Sequence, residues 1–248
     1  MTDDVSAVLN EFITARAARK DSTFQSLEEL IPVLKHLTER AGDINVIAVI
    51  GAGEGTFAAF LAELLSADRV HAIDVDEESL HLATEKGLES HEIDVEKSPL
   101  PFADGSVDLI ISLGLFEHLT WYDNLLEESM RVLCTGGSVL FALPNMAGWT
   151  NRMSLVMGYQ PRNVEFSHKK AFGILGAYGT DSTVGHVHAP TVGAFREFLE
   201  YHDFEIVDTV GLHPYQEGRL VPLIDKLVSR RPSLCRRFAV LGQYQPDR

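Results

Sequence analysis

The chain has 248 residues, 45% hydrophobic and 23% charged, values of a globular protein able to bury a large core. A formal net charge of -15 opposes a phosphate backbone, since nucleic-acid affinity comes from Lys and Arg displacing counterions, so no nucleic-acid partner is expected. No run approaches the roughly 18 apolar residues of a membrane span, the start MTDDVSAVLN lacks a signal-peptide core, and Cys134 and Cys235 require no disulfide framework, so a cytoplasmic protein without a membrane partner is expected.

Val5, Val8, Leu9, Phe12 and Ile13 recur at helical spacing, as do Leu27, Leu30, Ile31, Leu34 and Leu37. They predict two helices within residues 1–43, the second kinked or delayed by Pro32. NVIAVI (45–50) is short, apolar and β-branched, as expected of a strand buried on both faces of a parallel sheet. A helix at 56–65, a strand at 69–74, a helix at 76–86, strands at 88–94 and 107–113, a helix at 121–134 and a strand at 138–143 follow. This alternation predicts βαβ units with right-handed crossovers, hence an α/β, doubly wound, mostly parallel sheet over residues 44–144. Residues 145–190 hold a helix near 148–157 and then an irregular stretch rich in Gly, His and aromatics, which predicts a cap or lid. A helix at 191–202 and strands at 204–212 and 234–244 complete the sheet within residues 191–248. Arg230, Arg231, Arg236 and Arg237, broken by Pro232 and Leu234, read as a solvated turn rather than a polyanion site.

Gly51, Gly53 and Gly55 stand between a predicted strand and helix, where the chain must turn sharply and a ligand can approach backbone that no Cβ blocks. A plain strand-to-helix turn has the same signature. Asp74 ends the next strand, 21 residues after Gly53, where strand ends of a doubly wound sheet form a binding crevice. A carboxylate there can accept hydrogen bonds from both ribose hydroxyls of an adenosine. Its alternative duty, capping the following helix, suits Asp76 better. The dinucleotide fingerprint wants its third glycine where Thr56 stands; here that glycine comes one residue early, at Gly55. A cofactor without phosphate fits this spacing better than a nicotinamide dinucleotide.

The stretch IDVEKSPLPFADGSVDLIISLGLFEHL (93–119) closely resembles the third-to-fourth-strand segment of class I S-adenosylmethionine-dependent methyltransferases, particularly small-molecule enzymes like those of quinone biosynthesis. RVLCTGGSVLFALPN (131–145) resembles the family's next helix, Gly-Gly turn and fifth strand, and residues 185–207 match more loosely. The resemblance implies a seven-stranded Rossmann-like methyltransferase fold with N-terminal helices and a small cap, and S-adenosyl-L-methionine as cofactor. It implies that Gly51, Ala52, Gly53, Glu54 and Gly55 wrap the methionine portion, with Asp74 on the ribose and Val75 against the adenine. Asp94 would accept from the adenine amino group, with the Val95 backbone beside it, unless Asp94 is only a surface acid in a turn. Ser112, Leu113 and Gly114 would form the floor beside the sulfonium. Val49 departs from the family, which usually carries an acid at that position.

Methyl transfer needs an aligned acceptor, and an acceptor that must lose a proton needs a base. His118 and His188 are the expected catalytic residues, with His168, His186, His213 and Glu117 as further candidates. His186 and His188 share a face if their segment is extended, but no Cys or carboxylate stands at ligand spacing, so no metal is expected. Trp149, Arg152, Gln160 and His186 are expected to contact a small-molecule methyl acceptor, unless the aromatic and amide side chains form the cap's own core. A monomer or homodimer is expected. Two other functions remain open at this level: a non-catalytic or regulatory protein that binds the same cofactor, and an NAD-dependent oxidoreductase.

Overall fold

In the computed structural model the described residues are 30–246, other than 32, 36, 39–43, 176–182, 184 and 213–219. The first predicted helix, Pro32 and His213 lie outside them. Residues 30, 31, 33–35, 37 and 38 of the second are helical, with Leu30, Val33, Leu34 and Leu37 buried.

The strands are β1 (Val46–Ile50), β2 (Arg69–Asp74), β3 (Glu89–Glu92), β4 (Val107–Leu113), β5 (Leu133–Pro144), β6 (Phe204–Leu212) and β7 (Arg237–Tyr244). They form a seven-stranded sheet in the order β3-β2-β1-β4-β5-β7-β6. β7 runs antiparallel to both its neighbours, and the other pairings are parallel. The expected doubly wound, mostly parallel sheet is therefore present. The chain winds outward from β1 through β2 to β3 and then crosses back to β4 on the other side of β1. That reversal opens a crevice at the carboxyl ends of β1 and β4.

Strand alternation divides the core in two. Ile47, Val49, Leu109 and Ile111 face one layer, where α1 (Thr56–Leu65), α2 (Glu77–Glu85) and the helical residues within 30–38 pack. Ala48, Ile50, Ile110 and Phe141 face the other, against α3 (Asp123–Val132) and α5 (Val192–Tyr201). Burial of the strands on both faces explains why they read as continuous apolar runs. On the second layer Phe116 meets Phe141 and Phe195 edge to face, with ring centroids 4.8 and 5.4 Å apart.

Some boundaries differ from the expectation. The helix predicted to 134 stops at Val132, and β5 begins at Leu133 rather than near 138. The cause is a register shift against β4, where Val107 pairs with Leu133 and Leu109 with Ser138. Gly136, at φ 81°, takes up the irregularity. β3 is limited to Glu89–Glu92, and β7 starts at Arg237 after a 3-10 turn over Pro232–Leu234. A helix not expected from the sequence, α6 (Leu220–Val228), precedes that turn. After α4 (Trp149–Val156) the described residues to 190 are irregular, with one isolated bridge between Gln160 and Ile174. The excursion closes on itself, since the Met146 N–H donates to the Pro190 carbonyl.

Candidate active site

The loop after β1 is tied to the end of β2. The N–H groups of Gly51 and Ala52 both donate to the Ile73 carbonyl, at 2.8 and 3.1 Å. One residue on, Gly53 N–H donates to Asp74 Oδ2 at 2.8 Å. Asp74 Oδ1 accepts from Val75 N–H at 2.7 Å and Asp76 N–H at 3.1 Å. A carboxylate offers about four acceptor positions. Three are thus taken, and the remaining one lies on Oδ2. Asp76, not Asp74, caps α2, its side chain accepting from Ser79 N–H.

All three loop glycines have positive φ, at 72°, 50° and 72°, which L side chains rarely adopt. Their missing side chains serve different ends. A Cβ on Gly55 would stand 2.8 Å from Ala83 Cβ and 2.5 Å from Leu88 Cδ1, so this glycine lets α1 approach α2 and β3. A Cβ on Gly51 would meet Leu115 at 3.1 Å, whereas one on Gly53 would meet nothing within 4 Å. Of the three, Gly53 alone leaves open space. Glu54 is exposed, and its carbonyl accepts from Lys86 Nζ at 2.5 Å. Val49 is buried in the first core layer.

The adjoining strand ends complete the crevice. Ile93 N–H donates to the Asp74 carbonyl at 2.8 Å, so Asp94 follows directly on the residue paired with the end of β2. Lys97 pairs with Asp94 at 2.5 Å and, with the Glu96 N–H, holds its carboxyl below the usual range. Val75 is exposed, and Val95 is buried, its carbonyl accepting from Asn124 Nδ2. At the end of β4, Ser112 is fully buried and its hydroxyl has no partner. Leu113 is half-buried beside it. Gly114, at φ 84°, donates its N–H to Ala142; a Cβ here would stand 3.4 Å from Glu117 Oε1 and 3.3 Å from Arg237 Nη2.

Beyond Gly114 a 3-10 turn over Phe116–His118 is anchored by Phe116, 0% exposed. It aims Glu117 inward at 1% exposure. Glu117 Oε2 has no hydrogen-bond partner, and Oε1 faces His186 Nε2 at 3.9 Å and Arg237 Nη2 at 3.7 Å. Burial pushes the Glu117 carboxyl up, against the pull of Arg237. Burial, with His118 nearby, drives His186 down to about 4, so its imidazole is neutral near pH 7. His186 Nδ1 and the Tyr122 hydroxyl are also buried without partners, and burial with the charge of Glu117 pushes the Tyr122 phenol up. Four unpartnered buried polar groups, Ser112, Glu117, Tyr122 and His186, therefore occur at or just beyond the end of β4.

The two histidines expected to handle protons flank this cluster. His118 Nδ1 lies 3.2 Å from the Gly185 carbonyl. A carbonyl only accepts, so Nδ1 carries the proton and Nε2 keeps its lone pair. His188 Nε2 lies 2.9 Å from the Thr120 carbonyl, which leaves Nδ1 as its free acceptor.

Residues 48–141 match the model of a family described as a methyltransferase domain. A Mycolicibacterium smegmatis protein named as a probable S-adenosylmethionine-dependent methyltransferase is 28% identical over 184 residues, 73% of this chain and 59% of its own length. Residues 48–141 thus resemble a methyltransferase domain, and the chain is similar to S-adenosylmethionine-dependent methyltransferases. It spans 59% of the length of that curated relative. The methyltransferase fold recurs in solved structures. A chain of the Haloferax volcanii complex between a methyltransferase activator and a methyltransferase matches with a TM-score of 0.61 at 16% identity, over 93% of this chain and 96% of that one. A Methanosarcina mazei S-adenosylmethionine-dependent methyltransferase matches with a TM-score of 0.61 at 17% identity, over 86% and 97%.

The structure brings Gly51, Ala52, Gly53 and Asp74 together through the loop contacts above, with Asp94 just past the end of β3, and sets His118, His186 and His188 around Glu117. The cap set makes contacts of its own. Trp149 Nε1–H donates to Asp225 on α6 at 2.7 Å, Arg152 Nε–H to Ala147 at 2.6 Å, and Gln160 Nε2 to Val164 at 3.0 Å. These polar atoms are engaged in local and α6 contacts. Asp225 in turn pairs with Arg236 at 2.7 Å. Arg236 thus serves that framework, while Arg237 reaches Glu117, so neither belongs to a merely solvated turn. Glu117 was visible only as a secondary candidate, and Arg237 gave no site signal, because burial and sheet order decide both.

Proposed function

We propose that the chain transfers a methyl group from S-adenosylmethionine to a small-molecule acceptor. The observation that carries this reading is the hydrogen bond from Gly53 N–H to Asp74 Oδ2, which joins a loop open to close approach with a carboxylate that keeps one acceptor position free. That pairing fits a nucleoside cofactor bearing ribose hydroxyls and no phosphate. Asp74 holds the sugar, exposed Val75 lies against the base, and Asp94 and the Val95 backbone stand at the base's edge. Gly51, Ala52, Gly53 and Glu54 line the methionine side, and Gly55 supports them by letting α1 pack.

When bound, the cofactor supplies an electrophilic methyl carbon whose bond to sulfur breaks as the acceptor's lone pair attacks. Ser112, Leu113 and Gly114 form the floor beside the sulfonium, and the chain aligns the acceptor with it, a positioning effect worth up to about 7–11 kcal/mol. His118 Nε2 and His188 Nδ1 present lone pairs that can take the acceptor's proton. Neutral His186 adds a hydrogen-bonding group on the acceptor side.

The test is calorimetric binding of S-adenosylmethionine and S-adenosylhomocysteine, followed by screening metabolite fractions for transfer of a labelled methyl group. Binding with transfer supports the reading. A folded protein that binds neither nucleoside refutes it, and binding without transfer to any fraction favours a regulatory role.

A further inference from the structure

We propose that Glu117, His118 and His186 hold a divalent cation of the zinc type at the mouth of the crevice. One ligand atom from each residue lies within 4.8 Å of the other two. A tetrahedral ion with bonds of about 2.0–2.1 Å needs ligand atoms about 3.4 Å apart, so modest side-chain rotations would close the set.

Two observations favour a cation over the bare cluster. Glu117, 1% exposed, has an unpartnered Oε2, and the Arg237 and His186 side chains facing its Oε1 stand off at 3.7 and 3.9 Å. A buried carboxylate in that state is costly unless a cation meets it. His118 donates Nδ1–H to a backbone carbonyl, the outer contact that orients a metal-binding imidazole and turns Nε2 toward the ion. A second group of similar spacing, His71, Glu89 and His91, differs in the deciding respect. Its Glu89 is bound by both Nε and Nη2 of Arg69, at 2.7 Å each, and so is already compensated.

The opposing charge is Arg237, 3.7 Å from Glu117 and without a hydrogen bond there. Its side chain is 32% exposed, so it can swing outward when a cation enters. Glu165, whose carboxylate favours positive charge near His186, works the other way. Three protein ligands leave a coordination position open. On the proposed transferase reading, an acceptor oxygen or sulfur takes that position and loses its proton more readily, with His188 as the remaining base. Cation binding itself does not depend on that reading.

The experiment titrates Zn2+ and Co2+ into chelator-treated full-length protein by calorimetry and by the cobalt absorption spectrum. One ion per chain is expected. Glu117→Gln and His186→Ala should each weaken binding at least about 100-fold, since even outer-shell losses cost 10–100-fold. Arg237→Gln should bind more tightly than the parent. Circular dichroism confirms that each variant is folded; where Glu117→Gln is not, Arg237→Gln and His186→Ala decide. No binding at about 0.1 mM metal, or binding unchanged in His186→Ala and Arg237→Gln, overturns the inference. S-adenosylmethionine binding measured on the same samples separates the two readings: its retention without metal binding sinks only the cation site, and its loss with metal binding sinks only the transferase.

Discussion

Replacing Asp74 by alanine separates the proposed cofactor-binding role of the β2 end from its structural role. Three backbone N–H groups, those of Gly53, Val75 and Asp76, already occupy the carboxylate, so one acceptor position remains for a ribose hydroxyl. A grip on both hydroxyls would require one backbone N–H to let go. One charge-assisted hydrogen bond contributes about 1.5–3 kcal/mol, or about 10- to 150-fold in Kd. The N–H groups released in Asp74→Ala sit at a half-exposed position where water can replace the carboxylate, so the fold should lose only about 1–2 kcal/mol. Calorimetry with S-adenosylhomocysteine and urea unfolding measure the two effects on one preparation. Asp74→Asn, isosteric but uncharged, should fall between parent and alanine in affinity. A Kd changed less than threefold in a folded Asp74→Ala protein would refute the reasoning. A stability loss that accounts for the whole affinity change would refute it equally.

The loop glycines should respond in opposite ways. Gly55→Ala forces a methyl onto Ala83 at a φ of 72° and should destabilise the fold by roughly 3 kcal/mol in urea. Gly53→Ala meets no neighbour, so it should lose only about 1 kcal/mol of stability while weakening the cofactor by a larger factor. Phe116→Ala should lose about 3–5 kcal/mol, because the ring is 0% exposed and anchors the turn that carries Glu117. His71 supplies a pH test. Burial lowers its folded pKa, so between the unfolded value near 6.5 and the lower folded value the unfolded chain binds more protons. Stability is therefore full above about pH 6.5 and falls as pH drops below it. His71→Leu should flatten this part of the stability profile, and an unchanged slope between about pH 7.5 and 5 would contradict it.

The strands from β1 to β4, the helices between them and the glycine turn were legible along the chain. Two-sided burial writes continuous apolar runs into parallel strands, and a turn at positive φ selects glycine whatever surrounds it. The union of Gly53 with Asp74 followed from the same local grammar, because adjacent parallel strands end on the same side. α6 was not legible, since Pro222 in its first turn resembles a break; a proline is tolerated there, where the N–H has no helical partner. Chain order could not show which glycine faces a ligand. Gly55 is set against Ala83 and Leu88, and only packing reveals it. The same holds for Glu117, His186 and Arg237. They are far apart in sequence and meet because β7 inserts antiparallel beside β5 while residues 185–188 fold back over the end of β4. Local sequence set the elements and the loop chemistry. The burial of a carboxylate, the tautomers of its neighbouring histidines and the cation available to it were decided by tertiary structure, because desolvation depends on everything packed around a group and not on its neighbours in the chain.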